Sequence, residues 1–237
     1  MPSLRHPATR VLASSLITQA GLVVTGPLTV RLLGVEDRGE VALIVATVLL
    51  ISQVGPWGLP QAFAYFIARG DAEPRALLDA YLSRYLRKTA LIALLGAVGI
   101  LAASRLATDL TEPLAEALLA MTGIASIMVA VLALACLTGA QRFNELAVLQ
   151  AVPGLSDTAA IIVVAMIGHA SIIGILVLFF VSWFAVAVIG VWLVRRGGPP
   201  ASPYVPALTT LRSYARRAFV TAAAPIDNLG IDQPRWA

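Results

Sequence analysis

The chain has 237 residues, of which 59% are hydrophobic and 13% are charged, whereas roughly a quarter of the residues in an average soluble domain are charged. Its mean hydropathy is +0.86. Polar side chains are too few to cover a water-exposed surface around such a composition. The composition therefore argues against a soluble enzyme, a nucleic-acid-binding domain and a disordered scaffold, and indicates an integral membrane protein. In that setting the net charge of +4 orients helices in the bilayer, and no nucleic-acid partner is expected.

Six apolar segments of transmembrane length follow one another along the chain. A hydrocarbon core about 30 Å thick needs roughly 20 apolar residues in a helix. The predicted spans are Val11–Leu33, Val41–Ile67, Thr89–Leu106, Leu114–Leu137, Leu146–Ile167 and Ile172–Val194. We therefore expect an all-α, polytopic membrane protein with a six-helix transmembrane bundle in residues 1–196.

The placement of basic residues predicts the orientation of this bundle. With the N-terminus inside, fourteen of the 17 Lys and Arg residues fall on the inner side, and only Arg31, Arg38 and Arg105 fall outside. Basic residues favour cytoplasmic loops, and adding or removing one span would destroy the asymmetry. We expect a multi-pass protein of the cell membrane with both termini in the cytoplasm.

Residues 197–237 depart from the pattern of long apolar spans. A linker rich in Gly and Pro comes first, and the longest apolar run that follows, about Ala218 to Ile226, is too short to cross a bilayer. Two interpretations stay open for this segment. It is an amphipathic helix on the membrane surface with its arginines near anionic headgroups, or a cytoplasmic tail without fixed structure.

The second predicted span contains a cluster of helix-breaking and polar residues. Its members are Gln53, Gly55, Pro56, Trp57, Gly58, Pro60 and Gln61. This pattern predicts a bent or locally unwound helix, whose released backbone groups must be satisfied by protein or trapped water. One interpretation makes the break part of a transport pathway, with Gln53, Pro60 and Gln61 as candidate residues. The other makes it a permanent kink that serves packing.

Asp157 lies near the middle of the fifth predicted span. A carboxylate at this depth costs about 2.5 to 3.5 kcal/mol on insertion scales, so it should face the bundle interior or a water-filled cavity. Gln150, Pro153 and Gly154 share its helix face by their three- and four-residue spacing. This face is either a solute or proton pathway, with Asp157 and Gln150 as candidates, or a structural contact between helices.

No pattern typical of an enzyme is present in the sequence. There is no phosphate-binding Gly-rich loop followed by Lys and Ser or Thr, no HExxH, no paired CxxC and no GxSxG. Cys136 is the one cysteine, and it lies in an apolar stretch where a buried, unreactive side chain is expected. We expect no enzymatic activity, no metal site and no cofactor.

Two short segments resemble a known family of membrane proteins. The stretch Arg31-Leu-Leu-Gly-Val-Glu-Asp-Arg-Gly-Glu40 resembles the loop after the first helix in the polysaccharide-exporter branch of the multidrug/oligosaccharidyl-lipid/polysaccharide exporter superfamily. The stretch Gly58-Leu-Pro-Gln-Ala-Phe-Ala-Tyr-Phe-Ile-Ala-Arg69 is similar to the end of the second helix in that branch. The resemblance covers about residues 8 to 196, and the span count and the inner N-terminus agree with it.

The resemblance implies a helical transporter with two six-helix lobes around a central cavity. Members of the branch flip lipid-linked oligosaccharides or export related surface polysaccharides across the cytoplasmic membrane. It places Gly34 and Gly39 at turn positions and gives Arg31 a structural or headgroup-contacting role. Because this chain corresponds to one lobe, the resemblance implies a homodimer or a second six-helix subunit. Asp157 is the one deep charge in the predicted spans, which leaves it a role in proton or cation coupling.

Two further interpretations come from other classes of protein. One is a membrane scaffold without transport activity, which anchors glycan-assembly enzymes through a basic cytoplasmic loop at Arg69 to Lys88. The other is an inactive truncated fragment, because hydrophobicity is lost after Val194. The expected partners are the lipid bilayer and, for the transporter, a lipid-linked oligosaccharide.

Overall fold

The structure, a computed structural model, describes residues 5–106, 112–168, 170–197 and 205–223. All regular secondary structure in these ranges is helical, which confirms the all-α fold class. The helices are α1 (Arg5–Leu33), α2 (Val35–Val54), α3 (Leu59–Ala68), α4 (Pro74–Leu106), α5 (Pro113–Gly139), α6 (Phe143–Ile167), α7 (Ile172–Arg196) and α8 (Leu208–Ala223). The side chain of Arg105, which was assigned to the outer side, lies outside the described part.

Helices α5, α6 and α7 begin and end within three residues of the predicted spans. Local chemistry fixes several of these ends. Pro113 occupies the first turn of α5, where the absence of a backbone N–H does no harm. Gly168 ends α6 with a φ of 77°, and the hydroxyl of Ser171 caps α7 by accepting from the N–H of Gly174. Hydropathy and helix punctuation agree in this half of the chain.

The predicted outer loop after α1 is reduced to a single non-helical residue, Gly34. Its φ of 87° interrupts the helical conformation between α1 and α2, and a residue without a Cβ adopts this angle readily. The expectation of a turn at Gly34 is therefore met, whereas the expectation of a turn at Gly39 is wrong, because Gly39 lies within α2. Glu36 and Asp37 in the first turn favour so early a start of α2, since acidic side chains interact well with a helix N-terminus.

The expected basic loop from Arg69 to Lys88 is also wrong as a loop. Only a short turn at 69–73 separates α3 from α4, which starts at Pro74 and continues into the predicted third span. Proline suits the first helical turn, and the Arg, Ala and Leu residues that follow are strong helix formers. The Arg75 side chain pairs with Asp79 at 3.6 Å, and Asp79 also pairs with Arg195 at the end of α7 at 2.9 Å.

The predicted break in the second span is confirmed. Residues 55–58 form a turn between α2 and α3, and the two helix axes are bent by 51°. Four of the described helices are each long and apolar enough to cross a membrane, namely α4 up to Ser104, α5, α6 and α7, and the bent pair α2 and α3 makes a fifth if it forms one span. The count of six spans, which needs α1 as well, stays a prediction.

Helix α5 lies at the centre of the bundle, in contact with α2, α3, α4, α6 and α7. Small residues allow the closest of these approaches. A Cβ added at Gly123 would lie 2.3 Å from the ring of Phe180 on α7, and one at Gly139 would lie 2.7 Å from the backbone oxygen of Ala64 on α3. Cys136 is fully buried beside them, as expected. The other main pairing joins α1 to α6 at the side of this core.

The segment after the bundle contains a helix. Residues Leu208–Ala223 form α8, which packs on α3; the position of this helix on the membrane surface stays a prediction. Most of the predicted linker, at 198–204, and the last residues, at 224–237, lie outside the described ranges. The boundary at residue 196 between bundle and tail therefore stays a prediction.

Candidate functional site

Asp157 lies on α6, and its side chain is next to α7. Its carboxyl group lies beside the hydroxyl of Ser182 on α7, and Ser182 is itself buried. The Ser182 hydroxyl donates to the backbone oxygen of Phe179 at 2.7 Å. The Oδ1 atom of Asp157 is buried and has no hydrogen-bond partner among the described residues. A carboxyl group with an unused buried acceptor is a candidate position for a proton or a bound cation.

The other residues of the predicted face of α6 do not join Asp157 in one cluster. Gln150 is exposed and lies two helical turns away, about 10 Å along the axis. Pro153 is buried. Gly154 faces α1, because a Cβ built on Gly21 would lie 3.3 Å from its backbone oxygen. The face therefore divides between α1, α7 and the exterior.

The candidate residues of the broken second span lie in a different part of the bundle. Gln53 and Gln61 are exposed, whereas Pro60 is buried. Helix α6 packs mainly on α1 and α7, whereas α3 packs on α5 and α8. The described contacts thus keep the break apart from Asp157, and the two regions are separate candidate sites.

In the first of the two segments that resemble the family, residues 31–40, Arg38 makes the contact to another helix. Arg31 is exposed in the last turn of α1, where a cation interacts favourably with the helix dipole. The Nε–H of Arg38 donates to the hydroxyl of Thr29 at 3.0 Å and so joins α2 to α1 across Gly34. Sequence reasoning missed this bond because it treated the segment as an open loop.

A buried carboxyl close to this motif was also missed. Glu116 is fully buried in the first turn of α5 and accepts a hydrogen bond from the backbone N–H of Glu112 at 3.1 Å. The carboxyl group of Glu40 on α2 lies next to it. In the sequence, Glu116 was one of several acids at a predicted outer loop, and nothing in the spacing distinguished it.

The break between α2 and α3 is covered by α8. A Cβ on Gly58 would lie 2.1 Å from the backbone oxygen of Ala215, so the two backbones are in contact. The rings of Trp57 and Phe219 stack with centroids 6.1 Å apart, and those of Tyr65 and Tyr214 stack at 4.2 Å. These contacts pack α8 directly on the break.

Arg69 forms an ion pair and a hydrogen bond next to this junction. The guanidinium of Arg69 donates to the hydroxyl of Tyr65 at 2.6 Å and pairs with Asp71 at 3.1 Å. Both interactions raise the pKa of Arg69 above its ordinary value, the bond to Tyr65 more than the charge of Asp71. Burial raises the pKa of Tyr214 because it disfavours the phenolate, and the neighbouring Tyr65 adds to the shift. The Tyr214 ring therefore stays neutral at physiological pH.

Fold and helix lengths together define a multi-pass helical membrane protein. The sequence matches the family model described as polysaccharide biosynthesis protein over residues 8–224, a range that includes nearly all of α1 and every helix after it. The chain belongs to this family, and the resemblance found from two short motifs is confirmed. No curated protein and no solved structure matches the chain.

We expect the substitution Gly58→Ala to displace α8 from α3, and Gly70→Ala to leave it in place. Both glycines have a positive φ, of 73° and 76°, so both substitutions introduce the same backbone strain. Only at Gly58 does the new methyl group meet a backbone atom, whereas nothing lies within 4 Å of a Cβ at Gly70.

The measurement is the rate of tryptic cleavage at the arginines of α8. Overpacking costs about 1 to 3 kcal/mol, so cleavage should become about tenfold faster or more in Gly58→Ala. Equal rates in the two variants would mean that the contact with Ala215 does not hold α8.

Proposed function

We propose that the protein takes part in moving a polysaccharide or a lipid-linked oligosaccharide across the cell membrane, as a flippase or exporter of surface-glycan biosynthesis. The observation that carries the proposal is the family match over residues 8–224, which extends along almost the whole helical structure. The absence of enzyme motifs from the sequence agrees with transport. In this role the bilayer and the glycan carrier are its partners.

The proposal includes six spans with both termini in the cytoplasm. Contacts between distant residues support it, because residues assigned to the inner side meet one another. Asp79 pairs with Arg195, and Arg142 donates to the backbone oxygen of Leu193 at 2.9 Å. At the opposite end Glu40 lies next to Glu116. An even number of crossings follows if each inner residue lies at the same membrane surface.

Cysteine labelling of intact cells tests this orientation. In a Cys136→Ala background, Asp37→Cys should react with a membrane-impermeant maleimide in intact cells, whereas Ser213→Cys should react only after permeabilisation. Both positions are exposed, so a difference in labelling reports the side of the membrane. The opposite pattern would reverse the orientation, and labelling of both positions in intact cells would rule out the odd number of crossings, five, that the proposal places between them.

Within this function, Asp157 serves as the coupling group for a proton or cation. Its support is the unused buried Oδ1 atom beside Ser182. The broken second span, with Gln53, Pro60 and Gln61, and the exposed Gln150 form the rest of the proposed pathway. Because these residues lie apart in the described bundle, we propose that they act at successive points along a route rather than in one binding site.

We expect Asp157→Asn to reduce transport of lipid-linked oligosaccharide in proteoliposomes by about tenfold or more, since intramembrane carboxyl groups carry ion pathways. Ser156→Ala is the matched control, because Ser156 is exposed on the same helical turn and its hydroxyl bonds within its own helix at 2.5 Å. Pro60→Ala tests the break in the same assay. If Asp157→Asn and Pro60→Ala both transport at the control rate, the site assignment is wrong while the family assignment stands.

We propose that this bundle acts as one lobe of a two-lobe transporter, because transport by rocking one lobe against another requires a second. We therefore expect a homodimer or a complex with another six-helix subunit. Native mass spectrometry of the complex in nanodiscs measures this directly. A lone monomer would contradict the two-lobe transporter, and stable copurification of glycosyltransferases with that monomer would favour a membrane scaffold instead.

A further inference from the structure

A cavity of about 750 Å³ opens where α8 crosses the broken second span and the first half of α4. Four cationic side chains line it, two from each long wall. Arg84 and Lys88 lie one turn apart on α4, and Arg212 and Arg216 lie one turn apart on α8. The rest of the lining is mainly apolar or aromatic and includes no acidic residue. The cavity thus combines concentrated positive charge with an apolar surface.

The four cationic side chains of the cavity are not paired with acidic side chains of the described residues. None of the four forms a salt bridge within the described parts of the chain. Lys88 and Arg212 come from opposite walls and are close enough for their charges to repel each other. Four other basic residues are paired with acids, namely Arg69, Arg75, Arg142 and Arg195. A bound anion between α4 and α8 would turn this repulsion into attraction.

The remaining polar groups of the cavity wall are already occupied. The hydroxyl of Tyr81 donates to the backbone oxygen of Pro206 at 2.6 Å, and that of Tyr85 donates to the backbone oxygen of Met128 at 3.0 Å. These bonds tie the wall to the rest of the bundle and leave the four cations to contact a ligand. Trp57, whose ring centroid is 5.7 Å from the Lys88 nitrogen, stacks on Phe219 and offers an apolar surface next to that charge.

The position of the cavity identifies the chemistry of its ligand. Lys88 directly precedes the third predicted span, which begins at Thr89, so the charges lie at the level of the lipid headgroups. Clustered basic residues at this level attract anionic lipids. A small hydrated anion would leave the apolar part of the lining unused, whereas a molecule with a phosphate group and a hydrocarbon chain would fill both parts.

We propose that this cavity binds an anionic phospholipid of the surrounding membrane. Its phosphate lies between Lys88 and Arg212, with Arg84 and Arg216 at the rim. Its acyl chain lies along the stacked rings of Trp57 and Phe219, and the bound lipid holds α8 against the bundle. The inference is independent of the proposed transport, because it concerns a lipid of the bilayer and its test measures binding alone.

Trp57 provides a direct signal for binding. The chain has four tryptophans, so the background Trp183→Phe/Trp192→Phe/Trp236→Phe leaves Trp57 as the sole one. The purified full chain is reconstituted in phosphatidylcholine vesicles and titrated with phosphatidylglycerol that carries brominated acyl chains. Brominated phosphatidylglycerol should quench Trp57 at a lower mole fraction than brominated phosphatidylcholine does. Equal quenching by the two lipids would overturn the proposal, since it would report ordinary contact with the bilayer.

Charge-matched variants separate the cavity from general attraction to the membrane. Lys88→Gln/Arg212→Gln and Arg84→Gln/Arg216→Gln each remove two cavity charges. Arg87→Gln/Arg217→Gln removes two charges from the same two helices outside the cavity lining. Because each basic residue contributes to binding of anionic lipid, the first variant should weaken the preference for phosphatidylglycerol by about tenfold, the second by less, and the control by about twofold at most.

Two outcomes of this comparison would overturn the proposal. One is an equal loss in the control variant, which would assign the effect to overall surface charge. The other is an unchanged preference in both cavity variants. The rate of chymotryptic cleavage of α8 after Tyr214 and Phe219, which no variant replaces, shows in vesicles without phosphatidylglycerol that a variant is folded. A variant cleaved as slowly as the parent chain counts in the comparison.

Competition with inorganic phosphate tests whether the bound phosphate group belongs to a lipid or to a soluble ligand. It should fail to displace brominated phosphatidylglycerol at matched ionic strength, because it makes no contact with the apolar part of the cavity. Displacement by inorganic phosphate beyond the effect of the same ionic strength of chloride would overturn the lipid assignment and indicate a soluble phosphate ligand.

Discussion

Every backbone N–H and C=O group within the hydrocarbon layer must be satisfied by the protein itself, and the rest of the structure depends on this requirement. It accounts for the wholly helical secondary structure of the described ranges. It also explains what surrounds the turn at 55–58, where the helical hydrogen bonds of the second span are interrupted. Gly55, Pro56 and Gly58 are all buried there, and α8 packs directly on the backbone of Gly58. A covering helix makes the interruption possible.

Close packing around α5 answers a second constraint. Lipid tails are as apolar as leucine, so helices in a bilayer associate through tight contact more than through removal of apolar surface from water. Gly123 and Gly139 allow α7 and α3 to approach α5 to a distance that a single methyl group would prevent, and Gly190 does the same against Ala133. The central position of α5 therefore depends on these glycines, which permit the close approaches because they have no side chain.

The sequence predicted the structure well where one property, either hydropathy or the helix-breaking effect of Gly and Pro, determines the local structure. Hydropathy located α5, α6 and α7 closely, and the Gly and Pro residues at 55–60 located the break. Prediction failed where the outcome depends on helix propensity outside an apolar run, as at Pro74, or on how short a turn can be, as at Gly34. It could not identify contacts between distant segments. The bond from Tyr81 to Pro206 joins residues 125 positions apart, and neither the burial of Glu116 nor the pairing of Asp157 with Ser182 has a local signature.

The two stacked ring pairs, Trp57 with Phe219 and Tyr65 with Tyr214, make the docking of α8 cooperative. Trp57 precedes the backbone contact at Gly58 and Tyr65 lies two turns beyond it, so both stacks and the contact share one register. A sliding movement of α8 by even a fraction of a turn would separate both pairs of rings at once, since packed surfaces of this kind do not deform gradually. Helix α8 is therefore either fully seated on the break in the second span or released from it.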